Sequence, residues 1–196
     1  MMAYTEDIRR YIELEREVLA RLDIDAIDAA LSLLVETRAC KGRVYVFGNG
    51  GSAATASHFQ NDFNKGVSAH TQEKFRFHCL NDNIATLMAI ANDVSYDEVF
   101  RMQLEGVIEP NDIVLAISGS GNSNNVLLAV EYAKAHGCQV IGLTGYDGGK
   151  LGQICDIHLN APVKSMQVAE DIHMVFDHLM MSVLYKHLCG IEHLSE

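Results

Sequence analysis

The chain has 196 residues, 48% of them hydrophobic, which fits one globular domain over residues 1–196 and not a disordered segment. A formal net charge of −11 at pH 7 argues against binding nucleic acid or anionic membrane through charge. Five cysteines without a CxxC pair, a charged N-terminus and the absence of a long apolar stretch argue against a disulfide framework, a signal peptide and a membrane helix. We therefore expect a cytoplasmic protein.

The chain begins with two predicted amphipathic helices, over residues 5–22 and 24–40. In the second helix, apolar side chains recur at helical spacing on one face. The apolar run 43–47 predicts a buried strand. The segment 52–66 that follows predicts a helix with Ser52 as its N-cap.

The middle of the chain repeats this order of strand and helix. A strand is predicted over residues 75–80, followed by two short helices over 83–91 and 95–107. The continuous apolar run 112–118 predicts another buried strand. Residues 122–137 predict a helix that ends at a glycine.

The last third of the chain contains two predicted strands, 139–145 and 156–161, and a long helix, 165–188. Strands that alternate with helices predict an α/β fold with a parallel sheet covered on both faces. Such sheets bind ligands at the carboxyl ends of their strands, near a switch in strand order. We expect residues 1–40 to form a helical extension and residues 41–196 to form the α/β core.

Two turns behind predicted strands have the composition of an anion-binding site. In Gly48-Asn49-Gly50-Gly51-Ser52, glycines let a ligand approach the backbone, and the helix that follows directs N–H groups at it. In the second turn, 117–125, Ser118, Ser120 and Ser123 add hydroxyl groups that can hold a phosphate without a lysine. Either turn alone fits an ordinary helix start. Two of them on neighbouring strands predict a sugar phosphate as the ligand.

Four side chains on two predicted helices are candidates for proton transfer. His58 and Asp62 are four residues apart, so they share a face of the helix after the first turn. Glu170 and His178 share a face of the last helix by the same spacing rule. If the two faces meet over a sugar, two imidazoles and two carboxyl groups surround it. That set also suits Zn²⁺.

The last helix carries a second pair with a spacing of four, His173 and Asp177. This pair lies on another face of the helix. Since a histidine on an interior face is more often a hydrogen-bonded core residue than a ligand, we assign the pair to packing or to an interface.

Several motifs together resemble the sugar isomerase (SIS) family, and within it the phosphoheptose isomerases. They are GNGGS behind a strand, AND at 91–93, SGSGNS, LTGYDGG and the histidine on the last helix. The resemblance spans almost the whole chain. It implies a three-layer sandwich with a five-stranded parallel sheet, assembled as a homotetramer with sites at subunit interfaces. It also implies conversion of sedoheptulose 7-phosphate to D-glycero-D-manno-heptose 7-phosphate through an enediol.

The resemblance assigns roles to individual residues. The substrate-binding residues that it implies are Asn49, Gly50, Gly51, Ser52, Asp93, Ser118, Gly119, Ser120, Ser123 and Glu170. The ligands that it implies for one zinc ion per site are His58, Asp62, Glu170 and His178. Among these, we take Asp62 and His178 as the catalytic acid–base pair.

The pocket departs from the family pattern at four positions. Asp62 is one methylene shorter than the usual glutamate, and Gly119 replaces the usual threonine. Glu170 stands where glutamine is usual and Gln167 where an aspartate contacts the sugar. An anionic Glu170 strengthens the expectation of a metal. The departures leave an isomerase for another sugar phosphate as an alternative.

A non-catalytic function is the second alternative. Residues 89–100, AIANDVSYDEVF, also resemble the SIS-domain regulator that associates with the DnaA initiator, which would make the chain an adaptor or a sugar-phosphate sensor. That regulator lacks the histidine of the last helix. His178 is present here, so an enzyme is favoured.

Overall fold

A five-stranded parallel sheet forms the centre of the molecule in the computed structural model, which describes residues 4–192. The strands are β1 (Val44–Gly48), β2 (Phe77–Cys79), β3 (Ile113–Ser118), β4 (Gln139–Thr144) and β5 (Ile157–Asn160). Nearly all residues of β1, β3 and β4 are buried, as expected when helices cover both faces of a sheet. The predicted fold class is confirmed.

Eight α-helices flank this sheet in the described part of the chain. They are α1 (Thr5–Leu19), α2 (Ile24–Ala39), α3 (Gly51–Asn61), α4 (Ile84–Asp93), α5 (Arg101–Leu104), α6 (Asn124–Ala135), α7 (Gly149–Ile154) and α8 (Met166–Leu184). A π-helical segment extends α3 over Asp62–Val67, and another extends α8 over Tyr185–Cys189. Within residues 4–192, no helix is long and apolar enough to cross a bilayer.

Two helical segments differ from the predictions. The predicted helix 95–107 is a 3₁₀ turn, Tyr96–Glu98, followed by the short α5. It ends early because Glu105 is extended and Gly106 has a φ of +73°. The helix α7 was not predicted. Its six residues include two glycines, each about 1 kcal/mol less favourable than alanine in a helix, so the segment lacks a helical signal.

Alternate residues of β1 point to opposite faces of the sheet and so belong to two different apolar cores. Val44 and Val46 pack into a core with residues of α1, α2, α3 and α8. Tyr45 and Phe47 pack into a core with residues of α5, α6 and α7. Helices α3 and α8 therefore lie on the same face of the sheet, where their polar side chains can meet.

The strand order β2-β1-β3-β4-β5 places a topological switch between β1 and β3. The helix that follows β1 packs on one face, and the helix that follows β3 packs on the other. Gly48 at the end of β1 pairs with Ile117 near the end of β3. The two predicted anion-binding turns therefore lie side by side in the crevice at this switch, where ligands bind in doubly wound sheets.

Candidate active site

The turn after β1 presents the start of α3 without a side-chain cap. Gly50 occupies the N-cap position with a φ of +58°, a conformation that suits glycine, and no side chain caps the helix there. The prediction of Ser52 as N-cap is wrong, because Gly50 lets the chain turn into the helix two residues earlier. Ser52 lies inside the first turn of α3 and is buried. The uncapped helix start leaves backbone N–H groups for an anion.

A pair of side-chain amides fixes the first turn against α6. The Asn49 amide donates to Asn125 Oδ1 at 2.9 Å, and the Asn125 amide donates to Asn49 Oδ1 at 2.9 Å. The Tyr96 hydroxyl also donates to Asn49 Oδ1, at 2.8 Å. Sequence reasoning assigned no role to Asn125 or Tyr96. The sequence did contain a hint of this contact, because the serine turn ends in an asparagine, Asn125. In the structure its side chain is buried.

The serine turn is held in shape by short contacts. The Ser118 hydroxyl donates to Ser123 Oγ at 3.1 Å, and Ser120 Oγ accepts from the Asn122 N–H at 3.2 Å. Gly121 has a φ of +65°, and its carbonyl accepts from the Leu151 N–H of α7 at 2.9 Å. This hydrogen bond holds the serine turn against α7. Ser118 ends β3, Ser120 and Ser123 follow it in the turn, and all three serines line one cavity.

Between the two turns lies a cavity of about 250 Å³. Its lining residues are Asn49, Gly50, Gly51, Ser52, Ile117, Ser118, Gly119, Ser120, Ser123, Met166 and Glu170. The single charged residue of this lining is Glu170, which lies so near Gly51 that a Cβ added there would be 2.4 Å from Glu170 Oε2. A phosphate in this cavity would be held by N–H groups and hydroxyls on the serine side. The Glu170 carboxylate is then left to accept hydrogen bonds from sugar hydroxyls.

Met166 explains why position 119 is a glycine. A Cβ added at Gly119 would lie 2.4 Å from Met166 Sδ. A threonine there would require the Met166 side chain to move. The Met166 side chain of α8 thus occupies the space beside Gly119.

A group of two imidazoles and two carboxyl groups lies farther along α3 and α8. Its members are His58, Asp62, Asp177 and His178, and one ligand atom from each lies within 4.8 Å of the others. His58 Nε2 is 3.1 Å from His178 Nε2 and 3.4 Å from Asp62 Oδ2. Tetrahedral Zn²⁺ with bonds of about 2.0–2.2 Å keeps its ligand atoms roughly 3.3–3.6 Å apart. The donor types and their spacing therefore fit a metal ion such as zinc.

Asp177 was assigned to packing or to an interface, but the structure places it in this group. Its side chain is fully buried, and neither carboxylate oxygen has a hydrogen-bond partner among the described residues. Burial, together with the nearby charge of Asp62, raises the pKa of Asp177 to about 8. His173, its partner in the predicted pair, fits the packing interpretation. It is buried beside the Thr144 carbonyl, with Nε2 3.0 Å from that oxygen, and burial lowers its pKa to about 4.

Glu170 was predicted as a metal ligand, but the structure does not bring it into the group. Glu170 precedes His178 by eight residues, which corresponds to about 12 Å along a helix. The two residues share a face of α8, but no carboxylate oxygen of Glu170 belongs to the group of ligand atoms around His178. Glu170 lines the cavity between the two turns, and Asp177 is the fourth member of the group that could hold a metal.

Asp93 was predicted at the pocket. It is the last residue of α4, it is exposed, and its Oδ1 accepts from the Asn92 amide at 2.7 Å. It does not line the cavity between the two turns. Its contribution to the site stays a prediction.

Comparison with known proteins identifies the family. The family model of the SIS domain matches residues 3–145. The phosphoheptose isomerase of Aliarcobacter butzleri is 35% identical over 93% of this chain and 92% of its own length. That of Syntrophotalea carbinolica is 34% identical over 94% of this chain and 95% of its own length.

A solved structure agrees with these relatives. The phosphoheptose isomerase from Neisseria gonorrhoeae superposes with a TM-score of 0.84 at 30% identity, covering 93% of this chain and 98% of that one. The match thus extends through the strands, both turns and the last helix, beyond the part that the family model covers. The chain belongs to the SIS domain family and, within it, to the phosphoheptose isomerases.

Proposed function

We propose that this protein is an aldose–ketose isomerase that converts sedoheptulose 7-phosphate to D-glycero-D-manno-heptose 7-phosphate. The observation that carries the proposal is a site with two chemically different ends on one pair of helices. Near the starts of α3 and α8, Gly51 and Glu170 border the serine-lined cavity. Farther along both helices, His58 and His178 meet. One end suits a phosphate and the other suits proton transfer.

The distance between the two ends is compatible with a seven-carbon substrate. Gly51 and His58 are seven residues apart, which corresponds to about 10 Å along α3. An extended chain of seven carbons, with bonds of about 1.5 Å, spans roughly 10 Å from C1 to the phosphorus of a 7-phosphate. Pentose and hexose phosphates are shorter by one or two bond lengths. The length of α3 between Gly51 and His58 is thus comparable with that of an extended heptose 7-phosphate.

Asp62 and His178 are the groups that we assign to proton transfer. In the forward direction, the Asp62 carboxylate removes a proton from C1 of the ketose, and His178 donates a proton to the oxygen at C2. The resulting enediol receives the proton back at C2 and loses the proton of the C1 hydroxyl to His178, which leaves an aldehyde at C1. His178 has a side chain that is 54% exposed, so a sugar can reach it.

We also propose Zn²⁺ as the metal of this site. Two imidazoles favour zinc over magnesium, which prefers an all-oxygen shell, and the carboxylates supply the remaining ligands. When bound, the ion would polarise the oxygens at C1 and C2. Because His178 belongs to this group, a bound ion would hold its imidazole and would take over from it the polarisation of the oxygen at C2.

The decisive test is a panel of ketose phosphates with five, six and seven carbons, each assayed with and without a chelator. We expect an aldose product from sedoheptulose 7-phosphate, with turnover lost on chelation and restored by Zn²⁺. Turnover that persists after complete metal removal would refute the zinc proposal but keep the isomerase. Binding of sugar phosphates without any product would favour the adaptor or sensor function. Faster turnover of a shorter ketose phosphate would refute the seven-carbon substrate.

The proposal extends to the assembly and the compartment of the enzyme. Helix α4 is apolar but has no buried residue, and it exposes Ile84 and Met88, as expected where further copies of the chain pack. In a homotetramer, Asp93 at the end of α4 would lie at such a contact. Light scattering measures this assembly, and a monomer mass would exclude it.

All five cysteines are free, which supports a reducing, cytoplasmic compartment that cell fractionation can check.

A further inference from the structure

We infer that Asp177, and not Glu170, is the fourth protein ligand of the metal, so that this chain uses two histidines and two aspartates. The inference rests on the proposed metal site and specifies which of its own residues form it. It frees Glu170 to bind the sugar. It also gives a role to an aspartate whose position in the chain predicted only packing.

The first argument is the geometry of the donor atoms. Asp177 Oδ2 lies 3.8 Å from His58 Nε2, and His178 Nε2 lies 4.0 Å from Asp62 Oδ2. These spacings are close to the roughly 3.3–3.6 Å between ligands of a tetrahedral zinc ion. One ligand atom from each of the four residues lies within 4.8 Å of the others, which is close enough for one ion to contact all four after modest side-chain adjustment.

The second argument is the environment of Asp177. Its side chain is fully buried, and both of its oxygens lack a hydrogen-bond partner among the described residues. A buried carboxylate without a partner is costly, and the second carboxyl group of Asp62 nearby adds to the cost. Among residues 4–192, His58 is the only positively chargeable group within ion-pair distance of Asp177. A divalent cation between the two carboxylates would neutralise their negative charge and give the Asp177 oxygens a partner.

The third argument is the position of Glu170. Its carboxylate lies against Gly51 in the cavity between the two turns, near the starts of α3 and α8. About 12 Å of helix separates it from His178. A side chain of this length does not reach the imidazoles from there without leaving the cavity that it lines.

The test compares Asp177→Asn with Glu170→Gln, two variants that each replace a carboxylate by the amide of the same shape. Zn²⁺ affinity is measured by calorimetry on the metal-free full chain, and Co²⁺ is used as a spectroscopic substitute. Loss of an outer-shell partner costs about 10–100-fold in metal affinity, so loss of a direct ligand should cost about 100-fold or more. We expect this loss in Asp177→Asn, together with loss of the strong absorption bands of tetrahedral Co²⁺. Glu170→Gln should keep both the affinity and the spectrum.

A stability measurement keeps the result interpretable. Without metal, Asp177→Asn should unfold at the same denaturant concentration as the unmodified chain or at a higher one, because a neutral amide replaces a carboxyl group that is buried without a hydrogen-bond partner and therefore costly to ionise. Equal affinities of Asp177→Asn and the unmodified chain, a larger loss in Glu170→Gln, or no binding of Zn²⁺ to the unmodified chain would overturn the inference. Turnover of sedoheptulose 7-phosphate is assayed separately. Missing turnover with the expected metal affinities would refute the proposed function and leave the ligand assignment intact.

Discussion

Replacing His178 with glutamine should lower kcat for sedoheptulose 7-phosphate at least about 100-fold, because a positioned acid or base contributes about 10²–10⁴-fold. The imidazole is 3.1 Å from that of His58 and 4.0 Å from the Asp62 carboxylate, at the end of the site where C1 and C2 would lie. The serine turn lies at the other end and should keep its phosphate affinity. Steady-state kinetics measure kcat, and calorimetry with inorganic phosphate measures binding.

The matched control for this variant is His187→Gln. His187 is exposed in the π-helical segment that follows α8 and does not line the cavity between the two turns. The same chemical change there should leave both kcat and phosphate binding unchanged. Normal turnover in His178→Gln would contradict the assigned role. Loss of phosphate binding together with turnover would show that His178 holds the site in shape and does not act on the sugar.

Replacing Gly121 with alanine should destabilise the fold by about 2–5 kcal/mol, because a left-handed backbone and a steric overlap both oppose a side chain there. Gly121 has a φ of +65°, and an added Cβ would lie 2.0 Å from the Gly148 carbonyl oxygen. That oxygen belongs to the backbone and cannot rotate away, so the serine turn must shift. A displacement of about 1 Å in a positioning element can cost about 100-fold in rate. Denaturant unfolding and turnover of sedoheptulose 7-phosphate test the two effects.

The variant Gly137→Ala is the matched control, because it measures the cost of a left-handed backbone without a steric overlap. Gly137 has a φ of +81°, but an added Cβ there meets no atom within 4 Å. It follows α6, away from the serine turn, so we expect a loss of only about 1–2 kcal/mol and unchanged turnover. The contrary result would be a Gly121→Ala variant that is no more destabilised than Gly137→Ala and keeps its turnover. The contact between the serine turn and the turn before α7 would then contribute neither to stability nor to activity.

The sequence alone determined the architecture and the two turns that border the cavity. Apolar runs that alternate with helical periodicity predict a parallel sheet, because strands buried on both faces must be apolar throughout. Glycines and serines directly behind strands predicted both turns, since a turn from strand to helix is a local feature. His58 and Asp62 were also predicted, because four residues along one helix bring two side chains together without any tertiary contact.

Only the tertiary structure decided which residues complete the reactive end. Helical spacing showed that Glu170 and His178 share a face of α8, but not that α8 packs beside α3 with Asp177 turned inward. The amide pair of Asn49 and Asn125 also depends on two segments far apart in the chain. Periodicity along one helix fixes the direction of each side chain relative to its neighbours on that helix. The packing of the helix on the sheet fixes what each side chain contacts, and that depends on the shape of both cores.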